Sequence, residues 1–436
     1  MSLEGQADNI QPQRISSVGE RIAISTLGTR GDVQPYIALA LGLIEKGHHV
    51  QLAAPIQFEA MVRDRGIAFA PLPGEFLDLL DKPEAKAAIA GGKGFGAGFK
   101  LLKYMRPLGR KLLDAEWEAA KVFKPDILVY HPKCFGAPHM AEALKRPCIL
   151  ASPLPGFTPT SAFPSPIVPF RTLGPLNRLT HILSQRSPNL LFGKLIKQWR
   201  STTLGLPPCS NINHQSMLTL YGYSPHVIPV PSDWSENVLV TGYWFLDSAN
   251  WKLPDPLSAF LNAGEPPIYV GFGSMPSINP RQMSEIVIEA LSRCGKRGLL
   301  ATGGGALNGH GVPDHVHVIA SAPHDKLFEH VSATVHHGGA GTTGAALRAG
   351  KPTAICPFFG DQSFWSRRVA ELGVGPMPLN RKSLSPDTLA EAIIAMDAPV
   401  MRRRALTIGA ALREEKGVAN AVGFITRVLR RRIAKT

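Results

Sequence analysis

The chain has 436 residues, 44% of them hydrophobic and 18% charged, enough for two or three domains that each bury a core. Basic residues exceed acidic ones by 14, which suits anionic partners such as a nucleotide diphosphate or a membrane surface, and equally suits a plain basic surface. No run approaches the ~18 apolar residues of a membrane span, residues 1–20 lack the apolar core of a secretory signal, and five scattered cysteines show no C-x-x-C spacing. These features predict a cytoplasmic protein with reduced thiols, soluble or at most peripheral to a membrane.

Residues 1–20 form a polar tail, and the first strand is expected over 21–26. A loop follows, Leu27 to Gln34, and Pro35 is expected to open a helix that Gly47 stops. With a second strand over 49–53 this makes a βαβ unit. The glycines of 91–98 lack the Gly-Lys-Ser/Thr ending of a phosphate loop, so the stretch is expected to be a flexible loop. A helix over 99–122, broken or kinked at Pro107, mixes leucines with Lys and Arg; it is either a packed helix with a solvated basic face or a surface for an anionic membrane. Strands over 126–130 and 147–151 flank a helix over 136–144. The proline-rich, apolar segment 152–169 fits no regular element; past a strand end, it is a candidate pocket wall. A helix over 190–203 and short strands over 218–224 and 238–241 complete this half.

Alternation restarts after a proline-punctuated stretch. The expected layout is an N-terminal Rossmann-like domain (21–235), a linker (236–256), a second Rossmann-like domain (257–410) and a terminal helix (411–436) that could pack back on the first. Strands are expected over 267–271, 298–302 and 315–319, and helices over 281–294 and 325–330. Later helices are expected over 362–372, 386–396 and 418–432. Between them, 333–362 runs as strand, glycine loop, helix from Thr342 to Gly350, and strand from 353. Small residues let a ligand approach the backbone, and a helix N-terminus offers unpaired N–H groups to an anion, so this stretch is a candidate diphosphate seat.

The residues His336-His337-Gly338-Gly339-Ala340-Gly341-Thr342-Thr343, Arg348-Ala349-Gly350 and Pro357-Phe358-Phe359-Gly360-Asp361-Gln362 resemble the nucleotide-sugar signature of family 1 glycosyltransferases, in the branch with sterol glucosyltransferases and bacterial natural-product enzymes. The resemblance covers about 21–435 and is strongest over 318–376. It implies an α/β protein of the GT-B fold, two Rossmann-like doubly wound domains facing a central cleft. It also implies an inverting transfer of a hexose, from UDP-glucose or another UDP-sugar, to a hydroxyl of a lipophilic acceptor such as a sterol, terpenoid or polyphenol. The expected form is a monomer or weak dimer with no nucleic-acid partner.

The resemblance also implies residue roles. His336 would contact the phosphates and Gly338, Gly339, Ala340, Gly341 and Thr342 would cradle them, while Asp361 and Gln362 would hold the donor sugar; Asp361 could also cap a helix. Gly273 and Ser274 would lie near phosphates and nucleoside, and Ala322 would grip the base; the sequence leaves uridine and thymidine open. There is no Asp-x-Asp motif, so no metal or other cofactor is expected. Gly28-Thr29-Arg30-Gly31-Asp32 resembles the sterol-type first loop, with Asp32 where many members carry a basic histidine. Asp32 is therefore either the catalytic base, its low intrinsic pKa raised by closure around an apolar acceptor, or a cap of the helix at Pro35. Arg30 would neutralise phosphate or orient Asp32, His131 is a reserve base, and Pro155, Phe157 and Phe163 are candidate acceptor-lining residues. Rivals are a deoxysugar transferase and a non-catalytic nucleotide-sugar or lipid-binding protein.

Overall fold

The structure is a computed structural model that describes residues 19–75, 94–209, 217–248, 250–273, 275, 279–303 and 305–433, with backbone alone at 94–106, 187–188 and 432–433. The predicted tail lies outside these residues except for Gly19 and Glu20. Strands β1 (Arg21–Ser25), β2 (His49–Pro55), β3 (Ala68–Leu72), β4 (Ile127–Tyr130), β5 (Cys148–Ser152), β6 (Leu218–Tyr221) and β7 (Val238–Val240) form one parallel sheet in the order β3-β2-β1-β4-β5-β6-β7. Strands β8 (Ile268–Gly271), β9 (Gly298–Ala301), β10 (Val316–Ile319), β11 (Ala333–His336) and β12 (Thr353–Ile355) form a second parallel sheet, β10-β9-β8-β11-β12. The strands are short apolar runs because helices cover both faces of each sheet.

The helices of the first half are α1 (Arg30–Glu45), α2 (Glu59–Arg63), α3 (Gly94–Phe123), α4 (Ala137–Leu144) and α5 (Asn177–Trp199). Those of the second are α6 (Asp255–Asn262), α7 (Pro280–Arg293), α8 (His324–Leu327), α9 (Ala340–Arg348), α10 (Gln362–Glu371), α11 (Pro386–Met396), α12 (Pro399–Glu414) and α13 (Gly417–Ile433). Strand order reverses beside β1 and β4 in one sheet and beside β8 and β11 in the other. At such a reversal the loops leaving the strands' carboxyl ends diverge and open a crevice. Register brings Ser25 opposite Tyr130 and His336 opposite Gly271, so both crevices are framed by those loops.

Several helices begin earlier than the sequence suggests. Helix α1 starts at Arg30, and Pro35 lies within it, because the Asp32 carboxylate accepts the Thr29 N–H and closes the first turn. Helix α3 takes in Gly94 to Gly98, part of the expected loop, while residues 91–93 lie outside the described residues. Helix α5 runs through Pro188 from Asn177, not from Leu190; Asn177 Oδ1 takes the Leu173 N–H at 2.8 Å and fixes its start. Helix α9 starts at Ala340, two residues before the expected Thr342.

The terminal helix α13 crosses α1 on the first half, where Ala421, Val422, Ile425 and Leu429 complete that core. The crossing needs Gly42: a Cβ there would lie 2.5 Å from Val418 Cγ1 and 3.2 Å from Val422 Cγ2. A second apolar cluster joins Tyr221 and Tyr223 of the first half, Tyr243 of the linker, and Leu347, Phe364 and Trp365 of the second. Gly42→Leu should therefore lift α13 off α1 and destabilise the protein by about 1–3 kcal/mol, read as a lower urea midpoint; an unchanged midpoint would show the helix contact to be dispensable.

Candidate functional site

The first crevice is built around one carboxylate. Asp32 Oδ2 accepts the Thr29 N–H at 2.8 Å, and Oδ1 meets Lys133 Nζ at 2.9 Å and His131 Nε2 at 3.4 Å. Lys133 and His131 sit on the loop after β4, beside β1 in the sheet, so topology joins residues a hundred positions apart. Gly28 makes room: with φ at +137°, any Cβ there would stand 2.1 Å from Asp32 Oδ2 and 2.8 Å from Lys133 Nζ. Burial works to raise the Asp32 pKa, but the Lys133 charge, the electrostatic pull of the His131 ring and the hydrogen bonds from Lys133 and Thr29 outweigh it, and the carboxyl is held below its ordinary value.

His131 is buried and its Nδ1 accepts the Lys133 backbone N–H at 3.1 Å, which leaves the ring proton on Nε2, facing Asp32. Burial, opposed by Asp32 and aided by Lys133, pushes its pKa down to about 3, so the ring is neutral at physiological pH. Beneath the loop lies Glu116 on α3, its carboxyl buried and pushed up to about 8 by burial, against the pull of Cys134 and Ser25. A neutral acid there spares the crevice a second negative charge.

The second crevice is a glycine seat. Gly339 caps α9, and a Cβ on it would meet His337 Nε2 at 2.7 Å. A Cβ on Gly273, where φ is +58°, would lie 3.2 Å from His337 Cε1. His337 is thus packed between two bare backbones, and its Nδ1 is buried with no hydrogen-bond partner among the described residues. Burial, opposed by the Gly271 carbonyl, pushes its pKa down to about 4. Gly341 faces open space on the first turn of α9. Backbone N–H groups there point at anything that enters.

The two crevices face each other. Burial raises the Asp361 pKa; the Trp365 indole, donating to Oδ2 at 2.8 Å, lowers it, and the charges of Asp32 and Lys133 reach it from the other half. Likewise Arg30 acts on His324, which burial and His337 hold at a pKa of about 4. Among the described residues no group of three or more His, Cys, Asp or Glu is placed to hold a metal ion. An open cavity of about 550 Å³ lies past the ends of β8 and β9, lined by Asn279, Arg281, Thr302, Asn308 and His310. Ala322 lines another, of about 340 Å³, with Trp251 and His317.

Residues 22–164 match the glycosyltransferase family 28 N-terminal domain, and residues 303–418 match the erythromycin biosynthesis protein CIII-like C-terminal domain. Over 426 residues the chain is 37% identical to the sterol 3-beta-glucosyltransferase UGT80B1 of Arabidopsis thaliana, covering 94% of this chain and 68% of that protein. The chain belongs to the sterol 3-beta-glucosyltransferase family. It is 36% identical over 429 residues to the sterol 3-beta-glucosyltransferase of Aspergillus fumigatus, matching 94% of this chain but 30% of that longer protein. Among solved structures, the calicheamicin glycosyltransferase CalG4 superposes with a TM-score of 0.70 at 20% identity, covering 95% of this chain and 99% of its own. The glycosyltransferase VinC, solved with dTDP, gives 0.68 at 18% identity, covering 94% and 100%. These likenesses fix the GT-B fold.

Within this glycosyltransferase the expected site residues fall into three groups. Asp32, Gly28, Thr29 and Arg30 meet at the first crevice, and Gly273, Gly338, Gly339, Ala340, Gly341, Thr342 and Asp361 at the second; Ser274 lies outside the described residues. His336 does not reach the crevice. It is fully buried at the end of β11, its Nδ1 accepting the Gly338 N–H at 2.9 Å and its Nε2 2.9 Å from Thr353 Oγ1. The histidine at the seat is His337, one residue past the strand. The Gln362 carbonyl is likewise committed, accepting the N–H groups of Phe358 at 2.7 Å and Phe359 at 3.1 Å, so the amide braces the loop. Its Nε2 lies 3.2 Å from Met275 Sδ.

His131, the reserve base, points its N–H at Asp32 and so orients that carboxylate. Asp32 also caps α1, at Thr29 and not at Pro35. Pro155 is buried and Phe157 half-buried in the proline-rich wall. Phe163 packs against His181 and Phe364, between the two halves. Lys133 was missed, although its place two residues past His131, on the loop that leaves the strand beside β1, is the signal that would have found it.

The two histidines separate in mutagenesis. His336→Ala should cost about 1–3 kcal/mol of stability, since it strips partners from a buried N–H and a buried hydroxyl. His337→Ala should leave the urea midpoint nearly unchanged and weaken UDP binding by about tenfold or more in calorimetry. The opposite pattern would return the phosphate role to His336.

Proposed function

We propose that this protein transfers glucose from UDP-glucose to the hydroxyl of a sterol, or of an acceptor equally apolar, with inversion at the anomeric carbon. The observation that carries the reading is Asp32 facing the second crevice across the cleft, close enough for its charge to act on Asp361. The names of the relatives, sterol 3-beta-glucosyltransferases of plant and fungal origin, support the acceptor class.

In the proposed reaction the acceptor oxygen attacks the anomeric carbon on the face opposite the diphosphate, and the carbon–oxygen bond to the diphosphate breaks. The hydroxyl proton passes to Asp32 as the new bond forms. A carboxylate held low is a weak base, so the transfer is concerted with attack and not a prior deprotonation. Lys133 and His131 keep Asp32 charged and aimed. Charge growing on the diphosphate is met by the N–H groups opening α9 and by His337, with no reorganisation at the moment of reaction. Asp361 faces the donor sugar as a hydrogen-bond acceptor. An apolar acceptor also makes peripheral contact with an anionic membrane part of this reading.

Asp32→Asn should lower kcat by about 10²–10⁴-fold with UDP binding unchanged. Because the Asp32 pKa is depressed, kcat/KM should hold on acidification to below pH ~4. Lys133→Met removes the ion pair, so the acid limb should move to higher pH; a limb that stays put or moves down would separate Lys133 from the chemistry.

Purified protein, offered UDP- and dTDP-linked glucose and rhamnose with a mixed set of sterols and flavonoids, should yield a sterol glucoside from UDP-glucose by mass. Product from a dTDP-deoxysugar alone would replace the proposal with a deoxysugar transferase. No product and no donor binding would remove it.

A further inference from the structure

Helix α5 is amphipathic the wrong way round for a helix that faces water. Its inner face is polar: Asn177, Thr180 and His181 are buried, and they bond to the proline-rich wall. Asn177 Nδ2 donates to the Ser161 carbonyl at 3.0 Å, Thr180 Oγ1 accepts the Ser165 N–H at 2.7 Å, and His181 Nε2 lies 2.9 Å from the Phe163 carbonyl. The outer face carries leucines. Leu176 just before the helix, then Leu179, Leu183 and Leu190, fall on one stripe at helical spacing and are 57%, 46%, 58% and 85% exposed. Ile167 and Phe170, both more than half exposed, extend it along the preceding loop. Scattered exposed leucines are ordinary; a continuous stripe of them marks a surface that something covers.

The charge around the stripe says what covers it. From residue 143 to residue 232 the chain contains no Asp or Glu but eight Lys or Arg. Arg171 and Arg178 are tied to Glu371 and Asp233, at 3.4 and 4.0 Å. Arg186, Lys194 and Lys197 are exposed on α5 itself and form no ion pair among the described residues. Leucines flanked by unpaired cations match a leaflet of anionic lipid, with acyl chains beneath a negative surface. A second copy of the chain fits less well, because a two-fold contact through this face would bring its cations together. Helix α3, the other amphipathic basic candidate, turns Leu112 and Leu113 into the core, and its Gly109 lies against Phe192 and Leu195 of α5.

We propose that the leucine stripe of α5 and the loop before it, with Arg186, Lys194 and Lys197, dock the protein on an anionic membrane, so that the lipophilic acceptor enters directly from the bilayer. The inference rests on the lipophilic-acceptor reading for its purpose, though not for the docking itself. The same helix holds the wall from behind: Gln185 Nε2 donates to the Phe157 carbonyl at 2.6 Å, and the Phe157 N–H reaches Tyr221 Oη at 3.1 Å. Docking would therefore set the segment from Pro155 to Phe163 between the lipid and the cleft.

The test is flotation of the full chain with phosphatidylcholine vesicles, with and without phosphatidylserine, beside two variants: Leu179→Ser/Leu183→Ser/Leu190→Ser and Arg186→Gln/Lys194→Gln/Lys197→Gln. Unchanged thermal midpoints establish that both fold. The parent should float with phosphatidylserine vesicles, and each variant should bind at least about tenfold less. Glucosylation of a sterol embedded in those vesicles should fall in step, while transfer to the same sterol carried by cyclodextrin stays constant. Parent protein that ignores phosphatidylserine vesicles, or variants that float like the parent, would overturn the proposal. So would a parent dimer that the leucine substitutions dissociate in light scattering. Vesicle binding without any glycosyl transfer would instead overturn the transferase reading and leave the docking surface standing.

Discussion

The reaction centre depends on how one carboxylate is shared. Asp32 closes the first turn of α1 through the Thr29 N–H, pairs with Lys133, and receives the N–H of His131. Three donors on two oxygens fix its position but also hold its proton affinity down. The arrangement trades basicity for aim. In the proposed transfer that choice suits a displacement in which the acceptor hydroxyl grows acidic only as its oxygen bonds to carbon, so a weak, well-placed base would serve. Burial keeps the His131 ring neutral, so its N–H orients the carboxylate without adding a second full charge beside it.

The donor side solves a different problem with the same topology. A strand that ends at a reversal of strand order delivers its last side chain to the sheet and its next one to the crevice. His336 and His337 are adjacent in sequence, yet one braces Thr353 and the Gly338 turn while the other lies among glycines, its Nδ1 buried with no partner among the described residues. Position relative to the strand end decides the role, since the two residues have the same chemistry. The glycines matter for what they leave out: side chains at 273 and 339 would occupy the space over His337.

The parallel sheets were legible because short apolar runs, each followed by a helix, permit little else. The glycine loop at 338–341 and the first loop stood out because glycines and polar side chains cluster there, a pattern that suits backbone approach to a ligand. Helix starts were less legible. Asp32 beginning α1 and Asn177 beginning α5 act through single hydrogen bonds to nearby backbone groups, while the prolines at 35 and 188 point the other way. Helix α12 does carry a start signal, Pro399 in its first turn, but its packing against α9 is tertiary. Lys133 and the inward turn of Gln362 belong to the same class, since both depend on what the fold brings alongside.

How the halves move follows from where the chain crosses between them. It passes from the first half to the second at the linker around Gly242, and returns through Glu415 to α13, which packs on the first half. The two crossings touch. A Cβ on Gly417 would lie 2.2 Å from the Tyr243 carbonyl, Asn420 Nδ2 donates to the Thr241 carbonyl at 2.9 Å, and Ser224 bonds Glu415. Two adjacent crossings restrain the halves more than a single linker would. The packed cluster of Tyr221, Tyr243 and Trp365 beside them resists shear. The same packing sets the spacing at which the charge of Asp32 reaches Asp361, and that of Arg30 reaches His324, across the cleft.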